Sequence, residues 1–367
     1  MDILIKEIEY IEGIPVEASL CRVDRSLPHS HPHDLEIVYC LKGTVHLVAS
    51  DQQATLLPGQ LHSIDYRDIH YLYADAENEE NLVLIFHLDL RHIPYEWEQI
   101  RYVFFACESN HCYAYQQDAM NAVKDMILSF SYGYLTKDYE PERYAGPVEF
   151  FSFYLLQYFN WFNYNNQDEY MNEELYERFH RVLAYCIDHY DEKISISQLA
   201  AKEHISKNYF SQFISHTVFK SFSTMIKYIR CYEAEYLLLT TDKPNAEIAY
   251  ECGFSDPKYF YSAFRQLWGL TPSEHRSSYR KYYEECLRHY ADSPHAKPGE
   301  IRIENGSVRY IGDMIPGQER ASDEDAARML KEYMAVWHLE KTFGPPEDRS
   351  GSAEEHPPAI DFAVRMQ

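Results

Sequence analysis

The part of the chain that decides the fold is residues 246–276, which read AEIAYECGFSDPKYFYSAFRQLWGLTPSEHR. Residues Ala246 to Cys252 have the apolar spacing of a short helix, and Gly253 tolerates the positive φ of a tight turn. Ser255 is then placed to cap a second helix that runs from Asp256 to Trp268. A short helix, a tight turn and a longer helix together predict a helix-turn-helix unit.

A second copy of this pattern lies upstream. Ser197 to Glu203 is predicted as its first helix, and Ser206 caps a helix from Lys207 to Ile214. Between the copies, residues Phe222 to Leu239 have the periodicity of one rigid connecting helix. The side chains expected to face the cores of the two second helices are Tyr209, Phe210 and Phe213, and Tyr259, Phe260, Phe264 and Leu267. A major groove accepts one helix and recurs about every 34 Å, so two such units can bind one side of a duplex.

Both copies resemble the AraC/XylS family of transcription regulators over some eighty residues. The matching positions are Leu199-Ala200, Ser206 to Ser211, Ser221-Phe222, Arg230, Ala234, Leu237-Leu238, Ile248-Ala249, Gly253 to Asp256, Tyr259-Phe260, Phe264-Arg265, Gly269 to Ser273 and Arg276. The first copy departs from the family where Ile214-Ser215-His216 and Phe219 replace the usual Phe-Lys-Lys and Gly. This departure predicts weaker phosphate contacts by the first unit.

The resemblance implies which side chains face DNA. Asn and Gln can bond an adenine edge, and Lys can reach guanine or phosphate. The groove-facing candidates are Asn208, Ser211 and Gln212 in the first unit and Lys258, Tyr261 and Ser262 in the second. The candidates for neutralising phosphates are Lys207, Lys258, Arg265 and Arg276. The alternative for every one of them is a solvated helix surface, and for Arg230 it is a brace between the two units.

Charge is distributed unevenly along the chain. The net charge is −24, although DNA binding needs local positive potential. Between Asp191 and Lys281 there are 12 Lys/Arg against 10 Asp/Glu, a balance of +2. The acid excess therefore disappears in the segment that carries the helix-turn-helix pattern.

The expected compartment is the cytoplasm. The N-terminus lacks the features of an export signal, and no apolar run is long enough to span a membrane. The eight cysteines form no CxxC pair, which favours buried free thiols over a zinc ribbon or a disulfide framework.

The predicted fold class is α+β with several domains. Short runs rich in β-branched residues predict a small antiparallel barrel first, and the pattern then becomes helical. The domains expected are a cupin-like ligand-sensing barrel at 1–92, a helical linker and dimerisation region at 93–188, the double helix-turn-helix domain at 189–282 and an extension at 283–367, with a hairpin at 300–311, a helix at 322–343 and a flexible end.

A histidine-rich segment marks the predicted sensor half. His29, His31 and Glu36, followed by Gly43 and a later His70, resemble the cupin barrel, with His62 and His33 as competing histidines. In regulators of the AraC type this resemblance implies a small-molecule pocket, for which the candidates are His29, His31, Glu36, Tyr39 and His70. Nearby aromatic faces favour a sugar or another polar ligand, and they are Tyr39, Tyr66, Tyr71 and Tyr73. The alternatives are a purely structural role and a bound metal ion, and neither a metal nor a cofactor is predicted.

The leading hypothesis is therefore a homodimeric regulator and not an enzyme. Its barrel binds a small-molecule effector, its aromatic helices between 115 and 165 pair two subunits, and its paired units bind double-stranded DNA. Internal packing of those helices is the alternative to a dimer. The rival function is a metal-dependent cupin enzyme with an accessory helical domain. The tail at 295–343 is either a partner-binding module or an extra layer on the body of the protein.

Overall fold

The structure is a computed structural model that describes residues 3–75, 80–92, 104–112, 116–160, 173–297, 300–304, 307–310, 312 and 314–343. It combines a β-rich N-terminal half with a helical C-terminal half, as the predicted α+β class requires. The flexible end expected after residue 343 and the Asn-Gly turn at 305–306 lie outside the described residues.

Twelve strands are described. In chain order they are β1 (Leu4–Ile5), β2 (Val16–Val23), β3 (His29–Ser30), β4 (Asp34–Lys42), β5 (Val45–Ala49), β6 (Gln52–Leu56), β7 (Leu61–Ile64), β8 (His70–Tyr73), β9 (Leu82–Asp89), β10 (Ile301–Glu304), β11 (Ser307–Tyr310) and β12 (Gln318–Arg320). They form two five-stranded sheets, in the orders β1-β3-β8-β5-β6 and β12-β2-β9-β4-β7, and one hairpin, β10-β11. The single closed barrel that we expected does not form among these strands.

The two sheets pack face to face. Val38, Ile85 and Val23 of one sheet share a buried cluster with Leu47 and Leu72 of the other. On the opposite face of the β12-β2-β9-β4-β7 sheet, alternate residues pack against helices, because successive side chains in a strand point to opposite sides. The strands β2, β4 and β9 are therefore buried on both faces, which explains their long apolar runs.

The described residues also form ten α-helices, which follow the strands or lie between them. They are α1 (Gln117–Leu135), α2 (Ala145–Phe159), α3 (Glu173–Asp188), α4 (Ile196–Lys202), α5 (Lys207–Ser215), α6 (Phe222–Thr240), α7 (Asn245–Glu251), α8 (Pro257–Trp268), α9 (Pro272–Ala291) and α10 (Asp323–Phe343). The helices α1, α2 and α10 cover the outer face of the β12-β2-β9-β4-β7 sheet, where Phe86, Phe130 and Phe151 pack together. The helices α3 to α9 build the C-terminal half around two further cores.

The segment after the second helix-turn-helix unit returns to the N-terminal half. The helix α9 runs past residue 282 to Ala291, and the hairpin β10-β11 lies against it. The strand β12 then pairs antiparallel with β2, in the register Gln318↔Val23. Residues from both ends of the chain therefore build one sheet.

The described residues include no helix long and apolar enough to cross a bilayer. All eight cysteines lie in the described part of the chain as free thiols, and all except the half-buried Cys112 are buried.

Candidate functional site

The first helix-turn-helix unit is α4 and α5. Ser195 caps α4 in a reciprocal capping box with Gln198. The turn contains His204 at φ 55°, and Ser206 caps α5 by accepting a hydrogen bond from the backbone N–H of Tyr209. The N-cap predicted from the sequence is therefore confirmed in this unit.

The second unit is α7 and α8, and its cap differs from our expectation. Asp256, and not Ser255, accepts from the backbone N–H of Lys258, so α8 begins one residue later than predicted. Pro257 occupies the first position of the helix, where its missing N–H and fixed φ are tolerated. Gly253 has φ 77°, and a Cβ there would lie 2.7 Å from the carbonyl oxygen of Tyr190. No other residue fits that turn without strain.

The polar residues that we assigned to DNA lie mostly on the exposed sides of α5 and α8. Tyr261 is the partial exception, because it is half-buried and its hydroxyl accepts from Asn245 Nδ2 at 3.1 Å. The exposed candidates are Lys207, Asn208, Ser211, Gln212, Lys258, Ser262 and Arg265. These side chains share one helix face in each unit, which is the arrangement that base and phosphate contacts need.

Two tyrosines lie opposite to where the sequence predicted them. Tyr209 and Tyr259 were expected in the cores, yet they are 45% and 56% exposed. Each is the third residue of its helix, so the two units present an aromatic ring at the same position. The apolar character of tyrosine misled the assignment, because the inward stripe is already filled by Phe210 and Phe260.

Two arginines hold the units to their surroundings. Arg230 of α6 donates to the carbonyl oxygens of Tyr190 and Glu192, both at 2.8 Å. Arg276 of α9 donates to the carbonyl oxygens of Leu238 and Lys243 and to Asn245 Oδ1, at 2.8–2.9 Å. For Arg276 this geometry favours a bracing role over the phosphate contact that we assigned to it.

The connecting helix α6 is also fastened to the β-rich half. Arg67 forms two hydrogen bonds with Glu233, at 3.2 and 3.1 Å. The Tyr232 hydroxyl donates to Asp68 Oδ1 at 2.6 Å. Glu235 receives a hydrogen bond from Ser50. Tyr232, Glu233 and Glu235, which lie within about one turn of α6, thus join this helix to the loop between β7 and β8 and to the turn after β5.

These contacts bury charged groups, and the pKa of one of them, Asp68, is shifted. Burial raises the pKa of Asp68 to about 7, although the hydrogen bond from Tyr232 opposes this shift. Glu235 lies 2.8 Å from His275 Nε2 of α9, so its carboxylate has partners from two elements. One sign of this interface was present in the sequence and missed: Glu233 and Glu235 interrupt an otherwise apolar helix face.

A cluster of polar side chains lies between the two sheets. The ligand-capable atoms of His29, His31, Glu36 and His70 all lie within 4.8 Å of one another, and all four residues are buried. Glu36 Oε2 is 3.1 Å from His31 Nε2 and 3.1 Å from His70 Nε2. The structure thus brings four of our five predicted ligand-binding residues together, although they come from three strands and a loop. We call these four residues the His–Glu cluster.

The remaining candidates lie elsewhere. The Tyr39 side chain points to the opposite face of β4, where its hydroxyl is 3.2 Å from that of Tyr333. His33 is exposed, and His62 is buried on β7 beside Glu108. Neither histidine belongs to the cluster. Alternation along β4 could have excluded Tyr39, because positions 36 and 39 must face opposite sides of the sheet.

Sequence reasoning missed a charged chain that continues from the cluster. His87 Nε2 lies 3.2 Å from Glu36 Oε2, and His87 Nδ1 lies 3.0 Å from Glu17 Oε2. Glu17 Oε1 is in turn 2.9 Å from Arg320 Nη1 of β12. The signal was available: Glu17, Glu36 and His87 are polar residues at inward positions of three apolar strands.

Burial and these contacts divide the histidines into two electrostatic classes. Burial lowers the pKa of His29 well below its ordinary value and also lowers the pKa of His31. Burial acts in the same direction on His87, but hydrogen bonds to Glu17 and Glu36 outweigh it and raise the pKa to about 10. Neighbouring His70 and the hydrogen bonds around Glu36 hold the pKa of that carboxyl well below its usual range.

A cavity of about 280 Å³ opens beside the cluster. His29, His31, Glu36 and His87 line it, and Arg320 belongs to its wall. Among the described lining residues Tyr134 is the only tyrosine, so the four tyrosines that suggested a sugar lie outside it. The pair Tyr71 and Tyr73 instead belongs to a cluster with Tyr236 and Tyr279, at the contact with α6 and α9.

Comparisons with known proteins identify the helical part. A family model described as a helix-turn-helix domain matches residues 199–278. The chain is 32% identical over 92 residues to an uncharacterised HTH-type transcriptional regulator, YisR, of Bacillus subtilis (strain 168), which is 25% of this chain and 32% of that protein. It is 30% identical over 100 residues to the HTH-type transcriptional activator RhaS of Enterobacter sp. (strain 638), or 27% and 36% of the two chains. The matches span about a third of the length of these relatives.

The chain is also similar to solved structures. The DNA-binding domain of AdpA, solved with a target DNA, is similar at 25% identity and a TM-score of 0.28, over 31% of this chain and 99% of that one. ToxT from Vibrio cholerae O395 is similar at 12% identity and a TM-score of 0.36, over 72% and 97%. The family match identifies residues 199–278 as a helix-turn-helix domain.

Proposed function

We propose that the whole protein is a sequence-specific DNA-binding transcription regulator whose N-terminal half senses a small effector. In this account α5 and α8 enter successive major grooves, and the exposed polar residues of both helices contact bases and phosphates. The observation that carries the proposal is the pair of capped helices with exposed polar faces on one connecting helix, α6.

Charge burial supports this proposal. Glu233 and Glu235 belong to the acidic count of the helix-turn-helix segment, but both are buried against Arg67 and His275. The surface that remains for DNA is therefore more positive than the segment's balance of +2. Local positive potential is what phosphate binding requires, even in a chain with a net charge of −24.

The effector site in this proposal is the cavity beside the His–Glu cluster. It is lined by charged and polar side chains together with apolar ones, and its wall includes Arg320 from the C-terminal extension. Because β12 pairs with β2 at this wall, this part of the extension belongs to the sensor half. A carbohydrate effector remains a prediction. None of the four tyrosines that suggested a sugar lines the cavity, so these rings offer no stacking surface there.

The test is genome-wide mapping of the DNA bound by the full-length protein. Discrete bound sites close to promoters are expected, and they should be depleted when Lys258→Ala and Arg265→Ala are combined. Lys137→Ala, which removes an exposed lysine of the sensor half, is the matched control and should leave the map unchanged. A folded, expressed protein with no discrete sites would exclude the proposed function.

Homodimer formation through the helices at 115–165 is part of the same proposal. Most apolar side chains of α1 and α2 pack against the sheet, but Phe150 and Phe153 remain 56% and 46% exposed. Sedimentation of the full-length protein tests the role of this patch. Phe150→Lys should shift the protein to monomer, whereas Val336→Lys, at a 54% exposed residue of α10, should not. Equal sedimentation of wild type and Phe150→Lys would exclude α2 as the contact.

A further inference from the structure

We propose that a groove between α6 and α8 holds the sugar–phosphate strand of DNA that crosses from one major groove to the next. The Lys227 ammonium would bind a phosphate of this strand, and the Tyr259 ring would pack against a neighbouring deoxyribose. The inference rests on the proposed function and adds to it a DNA contact on the connecting helix, outside both recognition helices.

The groove lies between the two helix-turn-helix units. Its volume is about 360 Å³, and its walls are the N-terminal half of α6 and one side of α8. The Phe222 ring on the α6 wall lies 6.2 Å from the ring of Phe210, a core residue of α5. The opposite wall includes Ser262, one of the α8 residues that we assigned to DNA. The groove therefore adjoins both recognition helices.

The floor of the groove is apolar and its rim is polar. Three buried side chains form the floor, and these are Ile226, Phe254 and Ala263. Exposed side chains surround them, and these are Ser223, Lys227, Tyr259 and Ser262. A DNA strand has the same two components, because apolar deoxyribose carbons alternate with charged phosphates, and proteins make many of their DNA contacts to this backbone. The groove and the strand therefore match in chemistry.

The charge of the groove is also complementary to DNA. No acidic residue is among the described residues that line it, although the chain as a whole carries a net charge of −24. Its two cations are Lys227 and Arg230, and the Arg230 side chain is held by backbone carbonyl oxygens. Lys227 has no ion-pair partner in the described part of the chain, whereas Lys243 is paired with Glu251 at 2.6 Å. The Lys227 ammonium is therefore available to a phosphate.

Tyr259 gives the α8 wall an aromatic surface. Its ring is 56% exposed, and the Lys258 ammonium lies 4.9 Å from the ring centroid. A flat apolar ring beside Lys258, on the wall opposite Lys227, is suited to a deoxyribose with a phosphate on each side. This contact gives a reason for the exposure of Tyr259, which the core of the second unit does not.

The way in which the two units would dock brings a strand to this place. Successive major grooves on one side of a duplex are about 34 Å apart, and the minor groove between them is bounded by two backbone strands. With α5 in one major groove and α8 in the next, a backbone strand must cross the space between the units. A contact to this strand reads no base directly, but it fixes the register of the protein on DNA.

DNA affinity is measured first, at several salt concentrations, with full-length protein and the duplex that it enriches from a random library. Lys227→Ala should weaken binding at least about fivefold, equally on related sequences, and should lower the salt dependence by about one ion. Lys281→Ala, at an exposed lysine of α9, is the matched control and should bind as the wild type does. Tyr259→Ala should weaken binding and Tyr259→Phe should not, because the ring forms the contact. Unchanged affinity and salt dependence in Lys227→Ala overturn the inference.

A second measurement locates the contact on the DNA. Phosphates between the two protected major-groove segments of the same duplex are replaced, one at a time, by neutral methylphosphonates. At least one replacement should weaken binding of the wild type but not of Lys227→Ala, because the variant has already lost that contact. If every replacement weakens the two proteins equally, Lys227 does not contact the crossing strand and the inference is overturned.

The charge-reversed variant Lys227→Glu separates the remaining outcomes. DNA binding equal to that of the wild type overturns the inference and leaves the proposed function standing. Unchanged DNA affinity together with altered transcription from a bound promoter would mean that the groove holds a protein, which also overturns the inference. A folded wild type that binds no DNA overturns the proposed function and this inference with it.

Discussion

The two helix-turn-helix units have the same order of helices but differ in the residue at the tight turn and in the length of the second helix. At the tight turn the second unit has Gly253, which packs against the backbone of the loop before α4, whereas the first unit has His204 with a positive φ. The recognition helix α8 spans 12 residues and ends at Gly269 in the left-handed conformation, while α5 spans nine residues. The second unit is thus the more constrained one. The comparison teaches that two copies of one motif can form the same tight turn with different residues, glycine in one and a residue with a positive φ in the other.

The largest expected effect is at the two turns. Gly253→Ala should destabilise the protein by about 2–4 kcal/mol, because it adds left-handed strain and places a Cβ against the carbonyl oxygens of Tyr190 and Asp191. His204→Gly should change stability by less than about 1 kcal/mol, since the relief of strain is offset by added chain entropy. Urea unfolding of the full-length variants measures both. Equal losses at the two turns would contradict the difference between the units.

The second expected effect concerns the two bracing arginines. Arg230→Ala and Arg276→Ala each remove donors from backbone carbonyls, so each should cost about 1–3 kcal/mol. If Arg276 acts only as a brace, its loss should leave the salt dependence of DNA binding unchanged once the protein is folded. A salt dependence that becomes shallower by about one ion would instead indicate a phosphate contact.

The third effect is on DNA affinity. Arg265→Ala in α8 should reduce binding more than Lys207→Ala in α5, because the first unit has lost part of its usual basic edge. Each exposed contact to a phosphate should contribute about one ion to the salt dependence. Titrations at several salt concentrations measure both slopes, with Lys137→Ala as the control. A larger loss from Lys207→Ala would reverse the assignment of the anchoring unit.

The smallest expected effect is on the pH dependence of stability, through Asp68 and its contact with α6, the helix that connects the two units. The pKa of Asp68 is raised to about 7 from its ordinary 3.8, so the folded protein binds a proton more tightly than the unfolded chain does. Stability from this group is present below about pH 4 and is lost as the pH rises through about 7. Asp68→Asn should flatten that decline by keeping a neutral acceptor for Tyr232. The groups that face Asp68 include Glu235, Asp51 and His70.

Thermal unfolding between pH 4 and pH 8 measures the effect, and Asp118→Asn on α1 is the exposed control. A steeper decline in Asp68→Asn would contradict the buried, proton-binding state of this carboxyl.

The two halves of the molecule differ in how far the sequence predicts them. The helix-turn-helix part depends on local spacing, so Ser206, Gly253 and the connecting helix could be located before the structure was known. The Asp256 cap was missed by one residue, because Ser255 and Asp256 are both good N-caps. The exposure of the Tyr209 and Tyr259 rings was missed because an aromatic residue at helical spacing is usually predicted to face the core.

The His–Glu cluster is assembled from distant segments, and only part of it could be predicted from the sequence. His29, His31 and Glu36 are close in sequence, and His70, rather than His62 or His33, lies beside them in the structure. His87, Glu17 and Arg320 could not be joined to them without the sheet register, which pairs Glu36 with His87. Nor could any local pattern show that β12 would return from the C-terminal extension to complete the sheet.

The central claim is that α5 and α8 bind DNA as a pair. Selection of bound duplexes from a random library by the full-length protein, followed by footprinting on the enriched sequence, tests it most directly. Two protected major-groove segments about 10 base pairs apart are predicted, and Lys258→Ala should weaken only one of them. A folded protein that enriches no sequence, or that protects a single groove unaffected by Lys258→Ala, would contradict the claim.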